Sequence, residues 1–287
     1  EIIESVGFPA GTVNFLCGRG REVIPALAKS SVPRLLTMIG STHAGKKMIE
    51  ASPTTVKRFS LELGGDAPVL VFKDADLDAA VADIVGLKLA NAGQICVAPN
   101  RVFVQEAIYD TFIEKAKDLM QSYRLLGETG DGPELSPLCT EASLQQMLEF
   151  CDPKMHGGTV VTGGKRADRV GYFLEPTLIK DVDRDAKLTC EEIFGPIMPV
   201  MPFNDDEDIF AVANDTVYGL SAYVYTQNLS LALEAEKRLE FGNILINEAY
   251  YSLQLPHGGL KQSGFGKDIS RLALDDYYDI KRISIKR

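Results

Sequence analysis

The stretch Arg34–Ser52, RLLTMIGSTHAGKKMIEAS, decides the fold class of this chain. Its first part, RLLTMIG, is a short apolar run typical of a buried strand. The second part, STHAGKKMIEAS, is typical of a helix that begins near Ser41 or Thr42. A strand that passes through a glycine turn into a helix is the repeating unit of α/β proteins, so the stretch predicts that class.

The same alternation continues along the chain. APVLVF, NRVFVQ, LSAYVYTQ and GNILIN are predicted strands, and helical patterns such as DADLDAAVADIVGLKLANAG and AIYDTFIEKAKDLMQSY lie between them. Repeated strand–helix alternation indicates a largely parallel sheet. The final residues, DIKRISIKR (279–287), alternate apolar and charged like an edge strand, which is expected to pair with another subunit.

Composition narrows the function classes. The chain has 287 residues, a net charge of −10 and a pI near 4.9, which disfavour nucleic acid or an anionic membrane as partner. There is no apolar run of spanning length and no visible signal peptide. The five cysteines form no CxxC pair and the three histidines are scattered, so neither disulfides nor a metal site is predicted. A cytoplasmic location is expected.

The glycine turn of the opening stretch is a candidate anion site. From Gly40 it reads G, four residues, G and K, but Lys47 stands where a P-loop needs Ser or Thr for Mg²⁺. ATP or GTP hydrolysis is therefore disfavoured. A dinucleotide pyrophosphate at the helix N-terminus and an ordinary strand–helix turn both remain open. The aspartates of DADLD (74–78) lack the Gly and Glu of a calcium loop and are better explained as helix caps.

Two further segments contain reactive residue types. In LELGGDAP, Glu62 is either a paired structural acid or a base whose pKa partial burial raises. In NAGQICV, Cys96 follows a turn of small residues, where a cysteine is either inert packing or a nucleophile. For Gly64 and Gly65, a tight turn without any role in a site is the alternative explanation.

Taken together, the ordered segments resemble the aldehyde dehydrogenase superfamily. They are GSTHAG, LELGG, GQIC, EEIFGP (191–196) and LPHGGLKQSGFGK (255–267). The resemblance extends over essentially the whole chain. It implies an enzyme that uses NAD or NADP, acts on a small-molecule aldehyde and assembles as a homodimer or homotetramer.

The resemblance also implies roles for single residues. Cys96 matches the nucleophile that forms a thiohemiacetal and then a thioester, and its backbone N–H matches half of the oxyanion hole. Glu62 matches the general base that activates water for hydrolysis. Cofactor contact is implied for six residues: Gly40, Ser41, Gly45, Leu63, Glu192 and Phe194. Within that set, Ser41 matches the pyrophosphate contact, Glu192 the ribose contact and Phe194 the residue beside the nicotinamide.

The implied organisation has three parts. Residues 1–64 match the end of a Rossmann-like cofactor domain, 65–263 a catalytic domain, and 264–287 a segment that returns to the cofactor domain and ends in an oligomerisation strand. Members of the family have a further stretch of about 150–200 residues before this region, roughly one domain. Activity of these 287 residues alone is therefore uncertain.

Two residues depart from the pattern of the family. Asp66 follows LELGG where Lys or Asn is usual, and it is expected either to raise the pKa of Glu62 or, the favoured interpretation, to face solvent. His257 stands where many members have Phe, and an ordinary loop position is favoured over a role towards substrate.

Three functions follow as hypotheses. The leading one is oxidation of an aldehyde to the acid, with a small semialdehyde or amino-aldehyde as substrate, since GQICVAPNR and LPHGGLKQSG resemble enzymes for these. The second is a non-catalytic assembly module. The third, a CoA-acylating dehydrogenase, is disfavoured because Glu62 is present and those enzymes typically lack this base.

Overall fold

Alternating helices and strands make up most of the chain. The computed structural model describes residues 1–286. The helices are α1 Ile2–Ser5, α2 Gly20–Lys29, α3 Thr42–Glu50, α4 Leu77–Leu89, α5 Tyr109–Gln121, α6 Glu141–Phe150, α7 Lys187–Cys190, α8 Ile209–Asn214 and α9 Leu229–Arg238. The strands are β1 Leu35–Ile39, β2 Arg58–Glu62, β3 Ala67–Val71, β4 Pro99–Gln105, β5 Arg124–Leu125, β6 Glu134–Leu135, β7 Thr159–Thr162, β8 Thr177–Lys180, β9 Ile197–Phe203, β10 Ser221–Tyr225, β11 Asn243–Ile246 and β12 Gly264–Phe265.

A seven-stranded sheet forms the larger layer, in the order β11-β10-β3-β4-β9-β8-β7. All neighbouring pairs are parallel except β7 with β8. Its central strands β3, β4 and β10 are buried along their whole length. Continuous apolar strands are typical of a parallel sheet with both faces covered, so the predicted α/β class is confirmed.

A smaller sheet carries the opening stretch. β1 and β2 pair in parallel, from Leu35 opposite Arg58 to Ile39 opposite Glu62. β12 returns from far along the chain and pairs antiparallel with β2, so that Gly264 lies opposite Glu62. Beneath this sheet, a separate apolar cluster holds Ala28, Leu36, Met48, Leu61 and Leu63.

Side-chain caps start α3 and α4. The Ser41 hydroxyl accepts a hydrogen bond from the Ala44 N–H at 3.2 Å and begins α3. The Asp76 carboxylate accepts from the Ala79 N–H at 3.2 Å and begins α4. Each cap satisfies an N–H that has no partner inside its helix. Both helix starts agree with the sequence predictions.

The division between the two sheets follows the chain. Strands of the small sheet come from residues 35–62 and 264–265, whereas every strand of the large sheet lies between residues 67 and 246. The three-part domain division itself stays a prediction. Among residues 1–286, no helix is long and apolar enough to cross a membrane.

The C-terminal tail differs from its prediction within the single chain. Residues 279–286 form no strand, and Arg287 lies outside the described residues. Ile280, Ile283 and Ile285 are all exposed. A strand needs a hydrogen-bonded neighbour, and the tail finds none among the described residues. Pairing with another subunit stays a prediction.

Candidate active site

The chain bends sharply just before the predicted nucleophile. Asn91 and Ala92 have φ of 50° and 56°, and Gly93 has φ of 71°, so three consecutive residues are left-handed. The Gln94 side chain holds this turn, since its amide nitrogen donates to the Asn91 carbonyl at 3.0 Å and its oxygen accepts from the Cys139 N–H at 2.8 Å. Left-handed backbone is costly for residues other than glycine and is common near functional sites. The turn brings Cys96 to the carboxyl end of β2.

Cys96 and Glu62 are in direct contact. The Cys96 thiol donates to Glu62 Oε1 across 3.0 Å, and both side chains are partly buried. Burial, and then the charge of Glu62, raise the pKa of Cys96 far above its ordinary value. Burial also raises the pKa of Glu62, but hydrogen bonds from His257 and Cys96 outweigh it and the net shift is downward. A protonated thiol thus faces an ionised acceptor at neutral pH.

Gly64 and Gly65 provide room for the site. A Cβ on Gly65 would lie 2.2 Å from the carbonyl oxygen of Cys96, and one on Gly64 would lie 2.7 Å from Glu192 Oε2. The Gly65 N–H donates to Glu192 Oε1 at 3.1 Å. The two glycines are therefore needed for the close approach of Cys96 and Glu192, which the tight-turn interpretation leaves out.

One cavity of about 590 Å³ collects most of the predicted site residues. Its walls include Gly40, Ser41, Leu63, Cys96, Glu192 and Phe194. Glu62 does not line this cavity, but it is the hydrogen-bond partner of Cys96, which does. Gly45 does not line the cavity. It lies inside α3, where a Cβ would approach Leu63 Cδ2 to 2.7 Å, so its small size allows α3 to pack against Leu63.

The Glu192 loop is held by a residue that the sequence analysis missed. The Asn100 side chain donates to the Glu191 carbonyl at 2.9 Å and accepts from the Ile193 N–H at 3.1 Å, so it brackets Glu192 on both sides. Burial raises the pKa of Glu192 to about 7. Phe194, the next residue but one, has φ of 52°. An asparagine in a strand next to a GQIC segment gives no local signal of this contact.

Asp66 does not face solvent, and that expectation was wrong. Its side chain is fully buried and lies 3.0 Å from the guanidinium Nε of Arg101. It also accepts from Asn100 at 2.7 Å and from the Thr216 hydroxyl at 2.9 Å. Burial raises the pKa of Asp66, while Arg101 and the two neutral donors oppose that rise. The contact with Asn100 connects Asp66 to the Glu192 loop.

The interpretation of His257 as an ordinary loop residue was also wrong. Its Nε2 lies 2.9 Å from Glu62 Oε1, the same oxygen that accepts the Cys96 thiol. The Cys96 sulfur, a Glu62 carboxylate oxygen and a ring nitrogen of His257 all lie within 4.8 Å of one another. Because Glu62 and His257 are 195 positions apart, their spacing in the sequence carried no signal of this cluster.

Lys88 is a further buried charge near the site. It is fully buried in α4, and its Nζ has no hydrogen-bond partner among residues 1–286. Burial lowers its pKa to about 7, and the charges of Asp66 and Glu192 oppose that shift. A lysine within the apolar run IVGLKLA was the available signal.

Comparison with known proteins agrees with this geometry. Residues 1–283 match the model of the aldehyde dehydrogenase family. A mitochondrial succinate-semialdehyde dehydrogenase of Arabidopsis thaliana is 40% identical over 99% of this chain and 54% of its own length. An NADP(+)-dependent succinate-semialdehyde dehydrogenase of Escherichia coli is 39% identical over 99% of this chain and 60% of its own length.

A solved structure gives the same result in three dimensions. It is a betaine aldehyde dehydrogenase of Staphylococcus aureus in complex with NAD+, with a TM-score of 0.90 and 33% identity, covering 96% of this chain and 57% of that one. The chain thus spans between one half and two thirds of these proteins. It belongs to the aldehyde dehydrogenase family.

Proposed function

We propose that the protein containing this chain oxidises an aldehyde to the carboxylic acid with NAD or NADP, through a thioester on Cys96. The observation that carries the proposal is the 3.0 Å hydrogen bond to Glu62 from the thiol of Cys96, which lines the cavity of about 590 Å³. A thiol needs a base before it can attack a carbonyl at neutral pH, and Glu62 is an ionised acceptor in contact with it.

The cavity has features that suit a dinucleotide. Gly40 and Ser41 lie at the start of the nine-residue helix α3, where free N–H groups favour a phosphate. The Glu192 carboxylate lines the same cavity and can accept from ribose hydroxyls. The nicotinamide ring, when bound, supplies a hydride acceptor.

The residues of this chain would act in a defined order. The proton of the Cys96 thiol moves to Glu62 Oε1, and the sulfur then bonds to the aldehyde carbon. The backbone N–H of Cys96 is a candidate donor to the oxygen that becomes negative. After oxidation, Glu62 releases the first proton to solvent and then accepts one from the water that attacks the thioester carbon. The carbon–sulfur bond breaks, and this second proton passes to the Cys96 sulfur, which leaves as the free thiol.

The substrate is proposed to be a small aldehyde with a polar far end. Two relatives are named for succinate semialdehyde, which favours a carboxylate there. A second cavity of about 250 Å³ favours an ammonium group instead. Glu248, Tyr250, Tyr251 and His257 line it, with no lysine or arginine among the described lining residues. An acidic and aromatic wall attracts cations.

The test is formation of NADH or NADPH at 340 nm with succinic semialdehyde, 4-aminobutanal and propanal. It is run on this chain and on a longer protein that contains it, each beside its Cys96→Ala variant. Turnover that needs Cys96 supports the proposal. The ratio of kcat/KM for succinic semialdehyde to kcat/KM for 4-aminobutanal decides whether the far end of the substrate carries a carboxylate or an ammonium group. Turnover that needs CoA would indicate the acylating class. No formation of NADH or NADPH with any of the aldehydes would favour the assembly module.

Cytoplasmic location and a homodimer or homotetramer remain part of this proposal. Cytoplasmic location was expected from the five cysteines, an odd number without a CxxC pair, and one relative is named as mitochondrial. Size-exclusion chromatography with light scattering on the longer protein tests the assembly.

A further inference from the structure

His257 completes the site around Glu62. Its side chain and that of Glu62 are only about one-tenth exposed, and a single carboxylate oxygen contacts both the imidazole and the Cys96 thiol. We propose that His257 is a positioning residue that holds Glu62 oriented towards Cys96 and keeps it ionised. This inference rests on the proposed role of Glu62 as acceptor of the thiol proton.

The imidazole ring of His257 is itself held from several sides. The backbone of this residue is fixed by two hydrogen bonds: the backbone N–H of His257 donates to the backbone carbonyl of Asp268 at 2.9 Å, and the backbone N–H of Asp268 donates to the backbone carbonyl of His257 at 2.7 Å. The ring packs edge-on against Tyr251, with ring centroids 5.4 Å apart. The Tyr251 hydroxyl donates to Ser221 Oγ at 2.6 Å. A ring with so little freedom can fix the direction in which Glu62 points.

The burial of Nδ1 decides which ring nitrogen carries the proton. Among the described residues, His257 Nδ1 is buried and has no hydrogen-bond partner. A proton there would be a buried donor without an acceptor, which is costly. The structure therefore assigns the proton to Nε2, from which it is donated to Glu62 Oε1. A donor at this position favours the ionised form of the carboxyl.

Three titratable groups face Glu62 directly: Cys96, His257 and the side chain of Asp268. Burial raises the pKa of Asp268, and so does its proximity to Glu62. Tyr251 lies beyond His257, and Glu192 acts on the Cys96 side. Burial is the largest single influence on the pKa of Glu62, and His257 is the largest that opposes it. Removal of His257 therefore shifts the balance towards burial and raises the pKa of Glu62.

The sign of the pH effect follows from this balance. In the wild-type protein the pKa of Glu62 lies below its ordinary value, so Glu62 accepts the thiol proton until the solution is quite acidic. In His257→Phe its pKa is expected to lie higher than in the wild-type protein, because the largest influence that lowers it is gone. The ability of Glu62 to activate Cys96 is then lost at a higher pH.

The experiment measures iodoacetamide alkylation of Cys96 between about pH 3 and pH 8, by mass spectrometry of the Cys96 peptide, so that the range includes an acidic midpoint below the ordinary pKa of glutamate. Peptide resolution is needed because Cys17, Cys139 and Cys190 are exposed. The acidic midpoint of the rate is expected to rise by about one pH unit in His257→Phe, the size of effect of one charge-assisted hydrogen bond. His257→Gln, which can offer an N–H near the position of Nε2, is expected to recover most of the wild-type profile.

Two controls separate this proposal from the proposed function. Asp268→Asn keeps a donor near Glu62 and is expected to shift the midpoint less than His257→Phe does. Glu62→Gln should remove the acidic limb, whether or not the protein oxidises aldehydes. An unchanged midpoint in both folded His257 variants would overturn the positioning role. An acidic limb that survives Glu62→Gln would overturn it too, because the limb would then belong to another group.

Discussion

Replacement of Asp66 by Asn should be among the most destabilising conservative changes in this protein. Asp66 and Arg101 form an ion pair at 3.0 Å, with side chains 0% and 4% exposed. The substitution leaves shape and volume almost unchanged but removes the only negative charge in contact with the guanidinium among the described residues. Its effect therefore reports the electrostatic contribution of Asp66.

The magnitude follows from what remains around Arg101. Loss of one partner of a buried pair costs about 3–5 kcal/mol. The guanidinium keeps hydrogen bonds to the backbone carbonyls of Asp66, Val212 and Ala213, which places the charge effect at the lower end. The Asn side chain has one oxygen for two neutral donors, Asn100 and Thr216, so about 1 kcal/mol more is lost. We expect a loss of about 4 kcal/mol, against a usual total of about 5–15 kcal/mol.

Urea unfolding followed by far-UV circular dichroism at pH 7 measures this loss from the midpoint and slope. Asp78→Asn is the matched control, because Asp78 also contacts a cation, Lys115 at 2.6 Å, but is 81% exposed. Water screens that pair, so its loss should have little effect. If the two variants lost equal stability, the buried pair would not have the importance assigned to it.

Two further perturbations are worth measuring. Gly65→Ala would place a Cβ 2.2 Å from the Cys96 carbonyl oxygen, so it is expected to lower the stability by about 1–3 kcal/mol and to slow alkylation of Cys96. The control is Gly86→Ala in α4, where a Cβ meets nothing within 4 Å and the stability should rise by about 0.5–1 kcal/mol. Equal urea midpoints for the two variants would contradict the close approach of Gly65 and Cys96. Burial lowers the pKa of Lys88 to about 7, so the unfolded chain binds the extra proton between pH 7 and about 10.4 and stability should rise with pH across that window. Lys88→Met should abolish this rise and add about 1–4 kcal/mol at pH 7, and an unchanged slope would show that Lys88 is not the titrating group.

Much of the fold was predictable from local patterns. The strand predicted in RLLTMIG, the helix after it and the capping of α4 by one aspartate of DADLD, Asp76, are all present, because each depends on residues within a few positions of one another. The order of the strands in the sheet is a different matter. β3 lies between β10 and β4, and that choice depends on packing between segments more than 100 residues apart.

The candidate site shows the same division. Cys96 and Glu62 were named from their motifs, and the structure places them in contact. Asp66 was misjudged because a charged residue after two glycines usually faces water, and only the arrival of Arg101 and Thr216 from other segments makes its burial tolerable. His257 was misjudged because its contact, Glu62, lies 195 positions away along the chain.

By itself, the sequence determined the α/β class, the positions of the helices and strands near the site, and the two candidate residues Cys96 and Glu62. Those features depend on side-chain periodicity and on short motifs. Only the tertiary structure decided that His257 contacts Glu62, that Asp66 is paired and buried, and that Asn100 brackets Glu192. Hydrogen bonds and ion pairs form between atoms about 3 Å apart, and the distance between two residues along the chain does not determine their distance in space.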